Sequence, residues 1–181
     1  LGRDVLSRTM YGARVSLLIG ATAVLLAGTI GVLLGLVAGF VGGAVGAIIM
    51  RLVDTLLAIP FVLLAIVSAS LFGQDLFSLI LILGLTGWLS YARIVRSSVL
   101  SLKQMPYVEA ARSIGAGSSR LLLKHVVPGV WTPVIVVATQ QVGALMIAES
   151  SLTFLGIGIP PTIPSWGAMI AVGRAYVTLA P

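Results

Sequence analysis

Apolar residues make up 59% of the 181-residue chain, and charged residues make up only 9%. An average globular protein carries roughly 25% charged residues, so this chain has too few to cover a water-exposed surface. The composition excludes a soluble enzyme or binding domain, and it excludes intrinsic disorder, which requires low hydrophobicity. The net charge of +6 does not indicate nucleic-acid binding, because membrane proteins also collect Lys and Arg in cytoplasmic loops.

Four uncharged segments locate predicted membrane-spanning helices. Asp, Glu, Lys and Arg are absent from residues 15–50, 55–74, 76–92 and 126–148. A spanning helix needs roughly 20 apolar residues, and a helix satisfies its own backbone hydrogen bonds where water is absent. The first segment is too long for one helix, and the glycine-rich stretch from Gly39 to Gly46 predicts a turn within it. We therefore expect four helices, near residues 14–38, 46–72, 75–97 and 128–153.

Several residues in these helices indicate how they pack and bend. Gly31 and Gly35 lie four positions apart in the first helix, and small residues at this spacing let helix backbones approach closely in lipid. Pro60 lacks an amide proton and is expected to kink or loosen the second helix. Arg51 and Asp54 share a face near the cytoplasmic end of that helix, so we expect an ion pair between them.

The distribution of cations predicts the orientation of the chain. The segment between the third and fourth helices has one acidic residue, Glu109, and six cations: Arg93, Arg96, Lys103, Arg112, Arg120 and Lys124. Placing it in the cytoplasm also puts Arg51 inside and leaves four cations outside: Arg3, Arg8, Arg14 and Arg174. The positive-inside rule favours this orientation. The N-terminus then lies outside, which predicts a further helix before Leu1.

The cytoplasmic loop, residues 98–127, is predicted to begin with a short helix. Proline is tolerated in a first helical turn, so the helix can start near Pro106. Glu109 would then lie near the positive end of the helix, which favours a carboxylate. Gly115 stands where a left-handed residue would end the helix.

A second helix is predicted to follow and to lead into the fourth spanning helix. Ser118 or Ser119 could cap its N-terminus. The two helices would form a compact helix–turn–helix, and we expect it to expose Tyr107, Val108 and Ile114 beside charged residues.

The last segment, residues 156–181, is predicted to be an external loop. Proline and glycine interrupt any helix at Gly156, Gly158, Pro160, Pro161 and Pro164. We expect a short surface helix from about Ser165, with Trp166 at the membrane interface.

Glu149 follows 23 uncharged residues, 126–148, and is expected near the external end of the fourth helix. An ionised group inside a membrane is costly, and such groups usually face a cavity or a partner. One interpretation is that Glu149 borders a translocation path, which Gln140 and Gln141 would also line. The other is an interface carboxylate or a contact between helices, made with Ser150, Ser151 or Arg14.

The sequence shows no catalytic, metal or cofactor site. His125 is the single histidine and there is no cysteine, so a two-histidine or cysteine metal site cannot form. We interpret His125 as a solvated group. Neither a Gly-x-Ser-x-Gly elbow nor a Gly-x4-Gly-Lys-Ser/Thr phosphate loop is present.

Three blocks together resemble one known family. In residues 109–128, Glu-Ala-Ala is followed by three residues, a glycine, nine residues and His-Val-Val-Pro, which resembles the EAA loop of ATP-binding-cassette importer permeases. Residues 1–17 resemble the segment before the second helix of C-type dipeptide/oligopeptide or nickel permeases. Residues 149–167 resemble the end of their fifth helix and the loop after it. The resemblance covers essentially the whole chain.

The resemblance implies an all-α polytopic membrane protein, the permease core of a type I importer, holding about four of about six spanning helices. In this family the EAA loop docks on an ATPase subunit and transmits its closure to the membrane helices. Carried over to this chain, that role falls on five residues of the cytoplasmic loop: Glu109, Ala110, Ala111, Arg112 and Gly115.

The resemblance also implies partners and a location. The partners would be a homologous second permease subunit, cytoplasmic ATP-binding subunits and an extracytoplasmic substrate-binding protein. The chain would be a multi-pass protein of a bacterial or archaeal plasma membrane, and ATP would be hydrolysed on a separate chain. The solute would be a peptide or a similar small molecule, such as glutathione or a nickel complex.

Two other classes of protein remain as alternatives. An ion-coupled secondary transporter or channel could use Glu149 to bind a proton or cation, although such proteins usually carry several intramembrane ionisable groups. A membrane scaffold could use the glycine faces for assembly alone.

Overall fold

A computed structural model describes residues 4–73, 75–160 and 162–177 of the chain. The regular elements in these ranges are helices: α1 (Val5–Phe40), α2 (Gly43–Leu57), α3 (Phe61–Phe72), α4 (Leu76–Leu102), α5 (Pro106–Ser113), α6 (Ser118–Arg120), a π-helical turn (Leu121–Val126), α7 (Val127–Phe154) and α8 (Trp166–Val177). Three consecutive elements, α6, the π turn and α7, join end to end and form one helix from Ser118 to Phe154.

Three of these helices are long and apolar enough to cross a membrane: Val5–Phe40, Leu76–Leu102 and Ser118–Phe154. The pair α2 and α3 would add a fourth span if both belong to one crossing. The expectation of an all-helical membrane protein is therefore confirmed, and the about four expected spans correspond to three or four candidate spans in the described residues.

The helix predicted near 46–72 is divided in the structure into α2 and α3. Pro60 precedes α3 with φ −55° and ψ 131°, which is not a helical conformation. Proline has no amide proton to bond to the preceding turn, and its ring also disfavours helical geometry at Ile59. A kink was expected here, but the backbone leaves the helix altogether.

The turn expected between Gly39 and Gly46 is confirmed. α1 ends at Phe40 and α2 begins at Gly43. Gly42 and Gly43 have φ of 68° and 52°, in the left-handed region that glycine adopts without a steric penalty.

The chain divides into two compact units. The first comprises Leu1–Leu26, Pro60–Gly87 and Gln140–Pro181, and the second comprises Ala27–Ile59 and Trp88–Thr139. Arg3, Pro161 and residues 178–181, which the sequence assigned to the outside, lie beyond the described residues.

In the second unit, a stripe of glycines on α1 lies directly against α4. A Cβ atom built on Gly31 would lie 2.4 Å from Cβ of Tyr91, and one built on Gly35 would lie 2.7 Å from Cβ of Val95. Gly39 continues the same face one turn further. No side chain fits between the backbones at these positions, so the predicted close approach at Gly31 and Gly35 is confirmed.

In the first unit, glycines again allow close packing between helices. Gly20 on α1 faces Met146 on α7, and Gly84 on α4 faces Leu26 on α1. The buried side chains of this unit include Ile19, Leu79, Ile82, Leu83 and Leu152.

The ion pair expected between Arg51 and Asp54 is wrong. Asp54 instead pairs with Arg93 on α4, with 2.7 Å between its Oδ1 and the arginine Nη2. Both side chains are more than half exposed, and an exposed pair of this kind contributes little to stability.

We predict that Gly35→Ala destabilises the chain, because the new methyl group would lie 2.7 Å from Val95 Cβ and 2.8 Å from the Ala92 carbonyl oxygen. Overpacking of this kind costs about 1–3 kcal/mol. Thermal unfolding of the purified chain in detergent measures the loss.

Gly28→Ala is the matched control on the same helix. Its methyl group would meet only the Tyr91 ring, at an ordinary 3.7 Å, and alanine is the better helix former. We expect its unfolding temperature to equal or exceed that of the parent chain. Equal unfolding temperatures for the two variants would contradict the close-packing account.

Candidate functional site

The start of α5 follows from the sequence around Pro106. α4 ends at Leu102, and the Met105 amide closes the turn by donating to the Leu102 carbonyl at 3.1 Å. Met105 is extended, Pro106 is the first helical residue and Glu109 lies in the first turn. The predicted start of the helix and the predicted place of Glu109 are confirmed.

The end of α5 is a glycine-dependent cap. Gly115 has φ 85°, its amide donates to the Arg112 carbonyl at 3.0 Å, and the Ala116 amide donates to the Ala111 carbonyl at 3.0 Å. This pair of bonds is the Schellman motif, which reverses the chain after a left-handed residue. The predicted role of Gly115 as the residue that ends the helix is confirmed.

One face of α5 is buried. Val108 is 1% exposed and Ala111 is 9% exposed, and both pack with Leu121 at the start of the π turn. Phe40 and Ala116 pack against the same cluster. The expectation that Val108 would be exposed is therefore wrong: it lies three positions before Ala111, on the face that holds the helix in place.

The opposite face of α5 is open to solvent. Exposed residues there and at its ends are Tyr107, Glu109, Ala110, Arg112, Ser113 and Ile114. Ile114 is 87% exposed at the tip of the turn. The structure thus places Glu109, Ala110, Arg112 and Gly115 on the open side, and it places Ala111 between the helix and its support.

Lys103 stabilises the end of α1, which packs against the buried cluster under α5. Its Nζ donates to the carbonyl oxygens of Phe40 and Gly39, at 3.0 and 3.4 Å, and lies 5.4 Å from the centre of the Phe40 ring. A cation is favourable at the carbonyl end of a helix, where backbone acceptors lack partners. The same Phe40 ring packs on the cluster under α5.

The second helix of the loop starts differently from the prediction. Its N-cap is Gly117, which makes no side-chain capping bond, so neither Ser118 nor Ser119 caps it. The backbone then widens into the π turn, where the Val127 amide bonds to the Leu122 carbonyl, five residues back. His125 in this turn is half-buried, and its ring centre lies 6.3 Å from that of Tyr107.

Glu149 lies near the other end of α7, in the first unit, and it is completely buried. Its carboxylate accepts hydrogen bonds from four hydroxyl groups: those of Ser16, Ser150, Thr153 and Ser165. Of the contacts expected for it, the one with Ser150 is present. Ser151 instead donates to the Ile147 carbonyl.

The structure does not bring Gln140 and Gln141 to Glu149. They lie nine and eight positions earlier on α7, respectively, about 12–14 Å along the axis at the rise of an α-helix. Gln140 is exposed and Gln141 is half-buried.

Some residues that shape these sites carried no signal in the sequence. Phe40, Lys103 and Ser16 act across long chain separations, and nothing in their local pattern indicates their partners. Ser165 was detectable, because serine directly before a helix is a favoured cap. The structure confirms that helix within one residue, since α8 starts at Trp166.

We predict that Gly115→Ala loosens the end of α5. An L-residue in the left-handed region costs about 1–2 kcal/mol, although the space around Gly115 is open. Hydrogen exchange of the Gly115–Ala116 amides should accelerate by about five- to thirtyfold. Gly117→Ala, which is equally open and needs no positive φ, should leave these rates unchanged. Equal rates in both variants would contradict this account of the cap.

Residues 31–180 match the family described as "Binding-protein-dependent transport system inner membrane component". The chain is 41% identical to the Glutathione transport system permease protein GsiD of Escherichia coli O6:K15:H31 (strain 536 / UPEC), over 100% of this chain and 60% of that protein. It is also 41% identical to the Oligopeptide transport system permease protein OppC of Bacillus subtilis (strain 168), over 100% of this chain and 59% of that protein.

This chain spans about three fifths of the length of those two relatives. The match to the family nevertheless covers 150 of the 181 residues of this chain, from 31 to 180. Together with the identity over the full chain, it shows that the chain belongs to the family of inner membrane components of binding-protein-dependent transport systems.

Proposed function

We propose that this chain is the membrane-spanning permease part of an ATP-driven importer, with α5 as its contact to a separate ATP-binding subunit. A single observation carries the proposal: α5 has one face buried against its own chain and the other open. A short helix held in this way presents a fixed surface without a large loss of conformational entropy on binding.

The open face of α5 has the chemistry of a docking surface. Ile114 supplies an apolar side chain at its tip. Glu109 and Arg112 supply charges of both signs, and each can form a charge-assisted hydrogen bond to a partner. Ala110 lets a partner approach the backbone, whereas Ala111 keeps α5 close to its support and acts indirectly.

We propose the remaining partners from family membership. An extracytoplasmic binding protein would deliver the solute, and a homologous second permease subunit would complete the pathway. The described spans number three or four, which is too few to enclose a path alone. The relatives are named for glutathione and oligopeptide transport, so we propose a peptide or a peptide-like small solute.

Gln140 and Gln141 remain proposed residues of the translocation path. Gln140 exposes a polar side chain on a spanning helix, and lipid offers it no hydrogen bonds. A polar lumen or a partner subunit would provide them. Glu149, which is not exposed at all, would influence the path only by positioning the helices around it.

The alternative of an ion-coupled carrier or channel has less support. It would need Glu149 to exchange a proton or cation with water. The four hydroxyl groups on its carboxylate and its complete burial argue for a fixed acceptor instead.

We predict that a benzophenone–maleimide probe on Glu109→Cys crosslinks to the ATP-binding subunit in the assembled transporter. The chain has no other cysteine, so the probe reports on one position. Light-dependent formation of an adduct with the mass of both chains measures the contact.

Val108→Cys is the control from the buried face, since Val108 is 1% exposed. We expect no adduct to form from this position. Failure of the probe at position 109 in an intact complex, or an equal yield from position 108, would contradict docking through the open face of α5.

A further inference from the structure

A buried carboxylate joins three elements of the first unit. Glu149 on α7 is 0% exposed. Its Oε1 accepts hydrogen bonds from Thr153 Oγ1 at 3.0 Å and from Ser165 Oγ at 3.1 Å. Its Oε2 accepts from the Oγ atoms of Ser16 and Ser150, each at 3.3 Å. Ser16 belongs to α1, and Ser165 immediately precedes α8.

Two of these hydroxyl groups also accept hydrogen bonds from the first turn of α8. Ser165 Oγ accepts from the Ala168 amide at 3.1 Å, and Ser16 Oγ accepts from the Trp166 amide at 3.3 Å. These amides lie in the turn where backbone donors have no partner within the helix. A serine hydroxyl has one proton to donate and can accept as well. Each serine therefore connects an α8 amide to the carboxylate: its oxygen accepts from the amide, and its hydroxyl proton is donated to Glu149.

We propose that Glu149 is an ionised positioning residue that fixes the first turn of α8 against α1 and α7 through Ser16 and Ser165. Both serines accept from an α8 amide and donate their own proton to Glu149, and an ionised carboxylate, which accepts at both oxygens, matches this direction of the bonds. The positive end of the α8 dipole favours a negative charge at this place. Among the residues described, hydroxyl groups rather than a cation surround the carboxylate.

The packing around the carboxylate leaves no room for an intervening side chain. A Cβ atom on Gly167 would lie 2.7 Å from Ser150 Cα and 2.9 Å from Thr153 Cβ. One on Gly12 would lie 3.2 Å from Trp166 Cδ1. The Trp166 indole donates to the Thr9 carbonyl at 3.1 Å, which adds a further bond between α8 and α1.

An apolar cleft between α7 and α8 borders these contacts, since Ser150 and Trp166 belong to its lining. The cleft has a volume of about 810 Å³, and its apolar lining includes Met146, Ile147, Phe154, Leu155, Trp166 and Ile170. Trp166 is the first residue of α8, so the turn that we propose Glu149 to position supplies part of the lining of this cleft.

The test is hydrogen exchange at the Trp166 backbone amide, measured by NMR on the full chain labelled with ¹⁵N-tryptophan in detergent. The chain has three tryptophans, so Trp88 and Trp131 serve as internal references. Glu149→Gln keeps the shape of the side chain and removes the charge. We expect exchange at Trp166 to accelerate by about fivefold or more, as for loss of a helix cap, with Trp88 unchanged. A smaller change at Trp166 would overturn the proposal.

Matched serine variants distinguish the loss of these specific hydrogen bonds from a general destabilisation of the fold. Ser165→Ala should accelerate Trp166 exchange, and combining it with Glu149→Gln should add little, because both changes remove one connected set of bonds. Ser151→Ala should have no effect, since that hydroxyl bonds to the Ile147 carbonyl. Multiplicative effects of the first two substitutions, or an effect of Ser151→Ala, would overturn the proposal.

The ionised state of Glu149 is tested by a separate measurement, infrared spectroscopy. The infrared difference spectrum between the parent chain and Glu149→Gln at neutral pH should contain an ionised-carboxylate band. A protonated-carboxyl band in its place would overturn the ionised state. Neither measurement depends on transport activity, so failure here is distinguishable from failure of the proposed function.

Discussion

The burial of two small apolar side chains, Val108 and Ala111, decides which face of α5 is free. Both rest on Leu121, and Phe40 closes the cluster from the end of α1. Lys103 holds that end by binding its last carbonyl groups. With these contacts in place, Glu109 and Ile114 can point only outward. Without them α5 would be a short helix in a loop, which is marginal in water on its own.

The support of α5 is also the beginning of a spanning helix. Leu121 opens the π turn, and the helix continues from there to Phe154. A force on the free face of α5 therefore acts on the same hydrophobic contact that starts this helix. The π turn holds more residues than an α-helical turn, so it changes the angular position of α6 relative to α7. In the proposed transporter, this contact is where movement of an ATP-binding subunit would reach the membrane helices.

The sequence was informative where a local rule applied. α5 begins at Pro106 and is ended by Gly115, as the backbone preferences of proline and glycine predict. The glycines between α1 and α2 form the expected turn. It was less informative where a partner distant in the chain decides the outcome. The buried face of α5 depends on Leu121 and Phe40, so Val108 could not be recognised as buried from its neighbours.

Two further differences have the same origin. Asp54 has Arg51 at a favourable helical spacing, yet tertiary packing gives it Arg93. The hydroxyl groups around Glu149 come from α1, from α7 and from the residue before α8, and only the fold brings them together. Pro60 was recognised as a disturbance, but whether a proline kinks or ends a helix depends on the surrounding packing.

We propose that the buried contact under α5 presents its open face to the cytoplasm. Labelling of Glu109→Cys with a membrane-impermeant maleimide in oriented vesicles tests it most directly, because the chain has no other cysteine. The account predicts labelling in inside-out vesicles and none in right-side-out vesicles. Labelling of position 109 only from the outer face would contradict it.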